Sequence, residues 1–109
     1  MEKKIIKFRD NLVKLVLVGE KNLTWRLFDD KNLSEGEKVD LVNWNTGEKF
    51  GEATLMKVWE KKMGELMDSD FDGHEKFSNN DEMYQTYRTY YGNKVGPDTV
   101  VKIIRFQLK

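Results

Sequence analysis

The chain contains no cysteine, so it can build neither a disulfide framework nor a thiolate site. A reducing compartment suits it, and the cytoplasm is the expected location. It has one histidine, His74. With no second histidine and no cysteine to complete a ligand set, a packed or hydrogen-bonding role is expected for it rather than a metal site. Long hydrophobic runs are also missing. The opening MEKKIIKFRD has a two-residue apolar step, and nothing approaches the roughly 18 residues needed to cross a bilayer, so neither secretion nor membrane insertion is expected. Net charge is absent too: 19 basic residues balance 19 acidic ones. That argues against the strongly cationic footprint of a non-specific nucleic-acid binder. No repeat, low-complexity tract or interdomain linker interrupts the chain.

What remains is a chain of 109 residues with 39% hydrophobic, 12% aromatic and 35% charged residues. That is enough for one ordinary core under a well-solvated surface, so residues 1–109 are expected to form a single monomeric domain. Charge can still segregate locally. Lys3, Lys4, Lys7 and Arg9 at one end would form a basic face with Lys102, Arg105 and Lys109 at the other if the terminal strands pair. The plainer reading of these lysines is a solvated, protected sheet edge.

Lys3 to Phe8 has the Ile and Phe content of a short strand. Asp10 is placed to cap a helix whose Leu12, Val13, Val16 and Leu17 recur at helical spacing before Gly19. From Asn22 to Phe28 the residues alternate, with Leu23, Trp25 and Leu27 on one face and Thr24, Arg26 and Phe28 on the other. Lys38 to Trp44 and Phe50 to Trp59 read as strands joined by an Asn45-Thr46-Gly47 hairpin turn. Met63 to Met67 suggests a short helix. A second starts near Ser78 to Asp81, which resembles a capping box, carries Met83, Tyr84, Tyr87 and Tyr91 on one face, and stops at Gly92. After Gly96-Pro97, Thr99 to Leu108 is the last strand. The order β-α-β-β-β-α-α-β describes an α+β unit with a mostly antiparallel sheet able to curl into a barrel.

Asp68-Ser69-Asp70-Phe71-Asp72-Gly73 is similar to the start of a calcium-binding EF-hand loop. Counting from Asp68, however, position 8 is Glu75 where an apolar residue belongs, and position 12 is Asn79 where a bidentate Glu is required. These aspartates are expected to cap turns, and no metal is expected.

Five segments carry a resemblance. Gly19-x-Lys21-x-x-Thr24-x-Arg26, then Gly36-Glu37-x-Val39 ahead of a strand, then Gly73-His74-Glu75 with Tyr90-Tyr91-Gly92 and a final Val-Val-Lys-Ile-Ile-Arg-Phe strand, resemble the ASCH-domain family of the PUA-like barrels. The likeness spans nearly the whole chain. Asn22 stands where Thr usually follows the Lys, and Glu37 where Asp usually follows the Gly. Thr24 replaces the Glu of many members, which makes the chain similar to the small bacterial ASCH amidohydrolases that deacetylate N4-acetylcytidine.

The resemblance implies a PUA-like (ASCH) β-barrel with helices and a site of three residues, with Thr24 as nucleophile, Lys21 as its base and Glu75 as the acid for the leaving nitrogen. It implies no cofactor. Lys21 would have to be partly neutral to act as a base; burial and Arg26 favour that, and an ionised Glu75 opposes it. Asn22, Arg26 and His74 would contact the modified nucleoside or an RNA. Judged by residue type alone, Lys21 and Glu75 could equally be an ion pair, Thr24 a strand residue and Arg26 an anchor, leaving a non-catalytic RNA- or nucleotide-binding module in the same cleft. Trp25 and Trp44 are expected in the core, with one tyrosine ring reaching the mouth of the pocket.

Overall fold

The structure is a computed structural model, and it describes residues 3–28, 31–71, 74 and 77–109. Its elements are β1 (Lys4–Phe8), α1 (Asp10–Leu17), β2 (Leu23–Leu27), β3 (Lys38–Asn43), β4 (Lys49–Lys62), two 3-10 turns (Met63–Glu65 and Asp68–Phe71), α2 (Asn80–Tyr91) and β5 (Val100–Leu108). The order matches the sequence pattern with one substitution. The short helix expected over 63 to 67 is a single 3-10 turn, after which Leu66 is already extended. So short a segment cannot repay helix nucleation. Its backbone is instead taken up from outside, Met63 N–H by the Thr99 carbonyl at 2.8 Å and Gly64 N–H by Pro97 at 2.9 Å.

The five strands form one sheet in the order β1-β3-β4-β5-β2. The pairs β3–β4, β4–β5 and β5–β2 are antiparallel, whereas β1 lies parallel to β3, with Phe8 opposite Asn43. Register shifts at Leu41/Val42 and Leu55/Lys57 bend the long strands, as bulges do. The result is a curled half-barrel whose open seam runs between its two edge strands, β1 and β2. Because β1 and β5 are not neighbours, the basic face conditional on their pairing does not form. Lys3 instead meets Asp40 at 3.2 Å and Glu52 at 3.1 Å, and Lys109 approaches Glu52 at 3.8 Å.

Each face of the sheet has its own core. Ile6, Phe8, Val39, Leu41, Leu55, Ile104 and Phe106 pack with Val16 of α1; Leu23, Trp25, Leu27, Val101 and Ile103 pack with Met83 and Tyr87 of α2. Alternation along β5 feeds both, Val101 and Ile103 to one side and Ile104 and Phe106 to the other. The caps shift by one residue from the sequence reading. Arg9 occupies the N-cap of α1 and Asp10 begins the helix. Asn79, not Ser78, caps α2, accepting the Glu82 N–H at 2.8 Å. Gly92, at φ +96°, ends that helix in a conformation L-residues resist.

Candidate functional site

The seam between β1 and β2 opens into a cavity of about 290 Å³, at the small end of the range for ligand pockets. Lys21 and Thr24 reach it because of how the chain leaves α1. Gly19 takes φ +83°, and the N–H groups of Glu20 and Lys21 both donate to the Leu15 carbonyl, at 3.0 and 3.1 Å. This turn delivers Lys21 to the head of β2. Its side chain then folds back so that Nζ donates to the Leu23 carbonyl at 3.0 Å. Lys21 is 3% exposed and Thr24 4%, and with Trp25 they line the cavity. Burial of a lysine to this degree is rare without a built environment.

One wall is aromatic. The Trp25 indole stacks on His74 with ring centroids 4.2 Å apart, and His74 Nε2 shares a 3.1 Å hydrogen bond with the Tyr87 hydroxyl. The 3-10 turn Asp68–Phe71 holds this wall up. Its Asp70 carbonyl accepts the indole Nε1–H at 3.2 Å, and the Asp70 carboxylate accepts both Lys61 Nζ and the Met67 N–H at 2.8 Å. Burial pushes the Asp70 carboxyl up, but the Lys61 hydrogen bond, the Met67 N–H and the Lys61 charge outweigh it and hold the group below its ordinary value. Asp70 therefore braces a turn. Asp72 and Gly73 of the calcium-like stretch lie outside the described residues.

Arg26 spans the seam. Its Nη2 donates to the Lys7 carbonyl of β1, and its guanidinium lies 5.2 Å from the Phe8 ring. At the rim, the Arg9 guanidinium lies 4.3 Å from the Trp44 ring and 4.5 Å from the Tyr90 ring. This meeting follows from the parallel pairing of β1 with β3, because Phe8 opposite Asn43 makes Arg9 and Trp44 the next pair along. The Trp44 N–H donates to the Phe8 carbonyl at 2.7 Å. Trp44 is 53% exposed, so the expectation of a core position is corrected: the strand ends one residue before it and leaves the indole at the cavity mouth.

No family model matches the chain, and no curated protein matches it in sequence. Solved structures do resemble it. A DUF984 protein from Enterococcus faecalis superposes with a TM-score of 0.80 at 14% identity, over 99% of this chain and 80% of that one. The ASCH domain from Lactobacillus crispatus gives 0.74 at 12% identity, over 96% and 79%. A single-residue variant of the ASCH protein from Zymomonas mobilis gives 0.71 at 12%, over 98% and 70%.

The fold is that of an ASCH domain.

Within this ASCH fold, four of the residues singled out from sequence, Lys21, Thr24, Arg26 and His74, line one cavity. Asn22 is not among the lining residues; its side-chain oxygen accepts from Arg105 at 3.3 Å and its carbonyl from the Phe106 N–H at 3.0 Å, both in β5. Glu75 lies outside the described residues. Arg9 and Trp44 enter the site with no motif to announce them, and Tyr90 joins them from the Tyr90-Tyr91-Gly92 segment. Three tyrosines rather than one, Tyr87, Tyr90 and Tyr91, line it. Among the described residues no group of three or more His, Cys, Asp or Glu side chains could hold a metal.

Proposed function

We propose that this ASCH-fold chain is an amidohydrolase that removes the acyl group from N4-acylated cytidine or a closely similar modified nucleoside. One observation carries the reading: a lysine and a threonine three residues apart, both more than nine-tenths buried, line a nucleoside-sized cavity that stacked rings also line. Residues with no chemical task rarely leave a lysine so far out of water.

The chemistry follows from the groups. With the planar base against the Trp25 and His74 wall, Thr24 Oγ1 attacks the acyl carbon and gives its proton to the amine form of Lys21. The bond from the acyl carbon to N4 breaks as N4 takes a proton from Glu75, releasing cytidine and leaving an acyl ester on Thr24. Water then hydrolyses the ester, freeing the carboxylic acid and restoring the hydroxyl. The role of Glu75 comes from the family resemblance alone. Arg26, tied to β1 across the seam, would contact the sugar or base edge.

The competing reading is a module that holds RNA in the same cavity without chemistry, and the cationic lining favours it. Purified protein incubated with a panel of acylated nucleosides separates the two. For an enzyme, free nucleoside and carboxylic acid appear together. Lys21→Ala, Thr24→Ala and Glu75→Gln each abolish most turnover, with strongly non-additive losses. For an RNA module, no panel member turns over, Lys21→Ala weakens RNA binding, and Glu75→Gln leaves binding intact or tightens it.

A further inference from the structure

We infer that the rim of this cavity is a phosphate subsite centred on Arg9, so that the ligand is a phosphorylated nucleotide rather than a free nucleoside. The inference rests on the reading that the cavity takes a cytosine-type base.

Arg9 is held ready for such a contact. Trp44 and Tyr90, at 4.3 and 4.5 Å, fix the plane of the guanidinium, and both rings sit at the surface, 53% and 38% exposed. A stacked guanidinium keeps its N–H edges for an acceptor and loses little further freedom on binding one, which is the arrangement that suits phosphate. Lys7 and Lys31 line the same cavity. Among the described residues no carboxylate forms an ion pair with Arg9, Lys7 or Lys31.

The chain has as many acids as bases, and some of the bases are neutralised locally: Lys3 by Asp40 and Glu52, Lys4 by Glu37, Lys49 by Asp40 and Glu52, Lys61 by Asp70. At the cavity mouth Arg9, Lys7 and Lys31 line one opening with no such partner among the described residues. Overall neutrality is compatible with this local group of three cations, which a neutral nucleoside would not use. A second cavity of about 240 Å³ continues along the seam and shares Arg26, Lys31 and Tyr91 with the first, which leaves room for a flanking nucleotide.

The phosphate could be the monoester of a mononucleotide or the diester of an RNA strand. Calorimetric titration with cytidine, cytidine 5′-monophosphate and a 5′-hydroxyl tricytidylate distinguishes them without turnover. At least one phosphorylated ligand should bind about 10-fold tighter than cytidine, as a charge-assisted contact implies. A gain for the monophosphate assigns the monoester; a gain for the trinucleotide alone assigns the diester. Either supports the subsite, provided that Arg9→Ala brings the ratio of phosphorylated to unphosphorylated affinity close to one, Arg9→Lys keeps part of it, and the salt dependence in Arg9→Ala flattens by about one counterion. A structural staple from Arg9 to Trp44 and Tyr90 would move all affinities together and leave the ratio intact. That result, or equal binding of all three ligands by the parent protein, overturns the inference while the cytosine reading stands. Failure to bind cytidine or either phosphorylated ligand removes both.

Discussion

Replacing Asp70 tests whether the turn that carries the aromatic wall is braced as described. Its side chain is 4% exposed and accepts two hydrogen bonds of 2.8 Å, from Met67 N–H and from Lys61 Nζ. The first resembles a helix N-cap and is worth about 1 kcal/mol. The second is charge-assisted, but Lys61 remains 28% exposed and solvent screening reduces it to about 0.5–1 kcal/mol. Asp70→Ala should therefore cost about 2 kcal/mol, which for a domain of this size lowers Tm by roughly 8–10 °C near pH 7. Asp70→Asn keeps an acceptor for Met67 and should lose about half as much. The sign of the pH dependence is fixed as well. Because the folded-state carboxyl is held below its ordinary value of 3.8, its contribution is present above that value and disappears as pH falls below it. Melting followed by circular dichroism should show the gap between parent and Asp70→Ala narrowing as the solution is acidified. A Tm for Asp70→Ala within about 2 °C of the parent, or a gap that stays constant into strong acid, would refute the reasoning.

Two further outcomes follow from the surface and from α2. Asn79→Ala should destabilise by about 1 kcal/mol and Ser78→Ala by much less, since only Asn79 holds the Glu82 N–H; equal losses in thermal melts would place the cap wrongly. Glu52, held at about 2 by Lys49 and Lys3 against an ordinary value of 4.5, contributes stability that is lost as pH falls between those values. Glu52→Gln should therefore flatten the decline in Tm across that window, and added salt should shrink the difference because the group is at the surface. Identical acid profiles for Glu52→Gln and the parent would contradict the assignment.

Much of the fold was legible because its signals are local. The alternation of Leu23, Trp25 and Leu27, the Asn45-Thr46-Gly47 turn and the glycine stop at Gly92 are short-range features, and each strand appears within a residue or two of its expected start. The site was legible from spacing where residues lie close together in the chain, and at His74 through the family resemblance. Lys21, Thr24 and Arg26 reach one cavity because one turn and one edge strand carry all three. Arg9, Trp44 and Tyr90 come from three elements, and nothing local indicates that β1 would pair parallel with β3. That pairing turned Trp44, which hydrophobicity places in a core, into a rim residue beside Arg9. Composition misled in a related way: equal numbers of acids and bases say nothing about where charges gather, and the grouping of Lys7, Arg9 and Lys31 at one cavity is a property of topology.

The central claim is that the Thr24 hydroxyl attacks an acyl group, and its most direct test compares Thr24→Val with Thr24→Ser on N4-acetylcytidine by following cytidine release. Valine keeps the β-branched shape that a buried strand position accepts, so the fold should survive and only the hydroxyl is lost; because Thr24 is 4% exposed, a thermal melt of each variant is the control for packing. The account predicts that Thr24→Val loses at least about 1,000-fold in kcat/KM, as removal of a nucleophile does, while Thr24→Ser keeps measurable turnover. Parent-like turnover by Thr24→Val would contradict it, as would a folded parent protein that releases no cytidine at all.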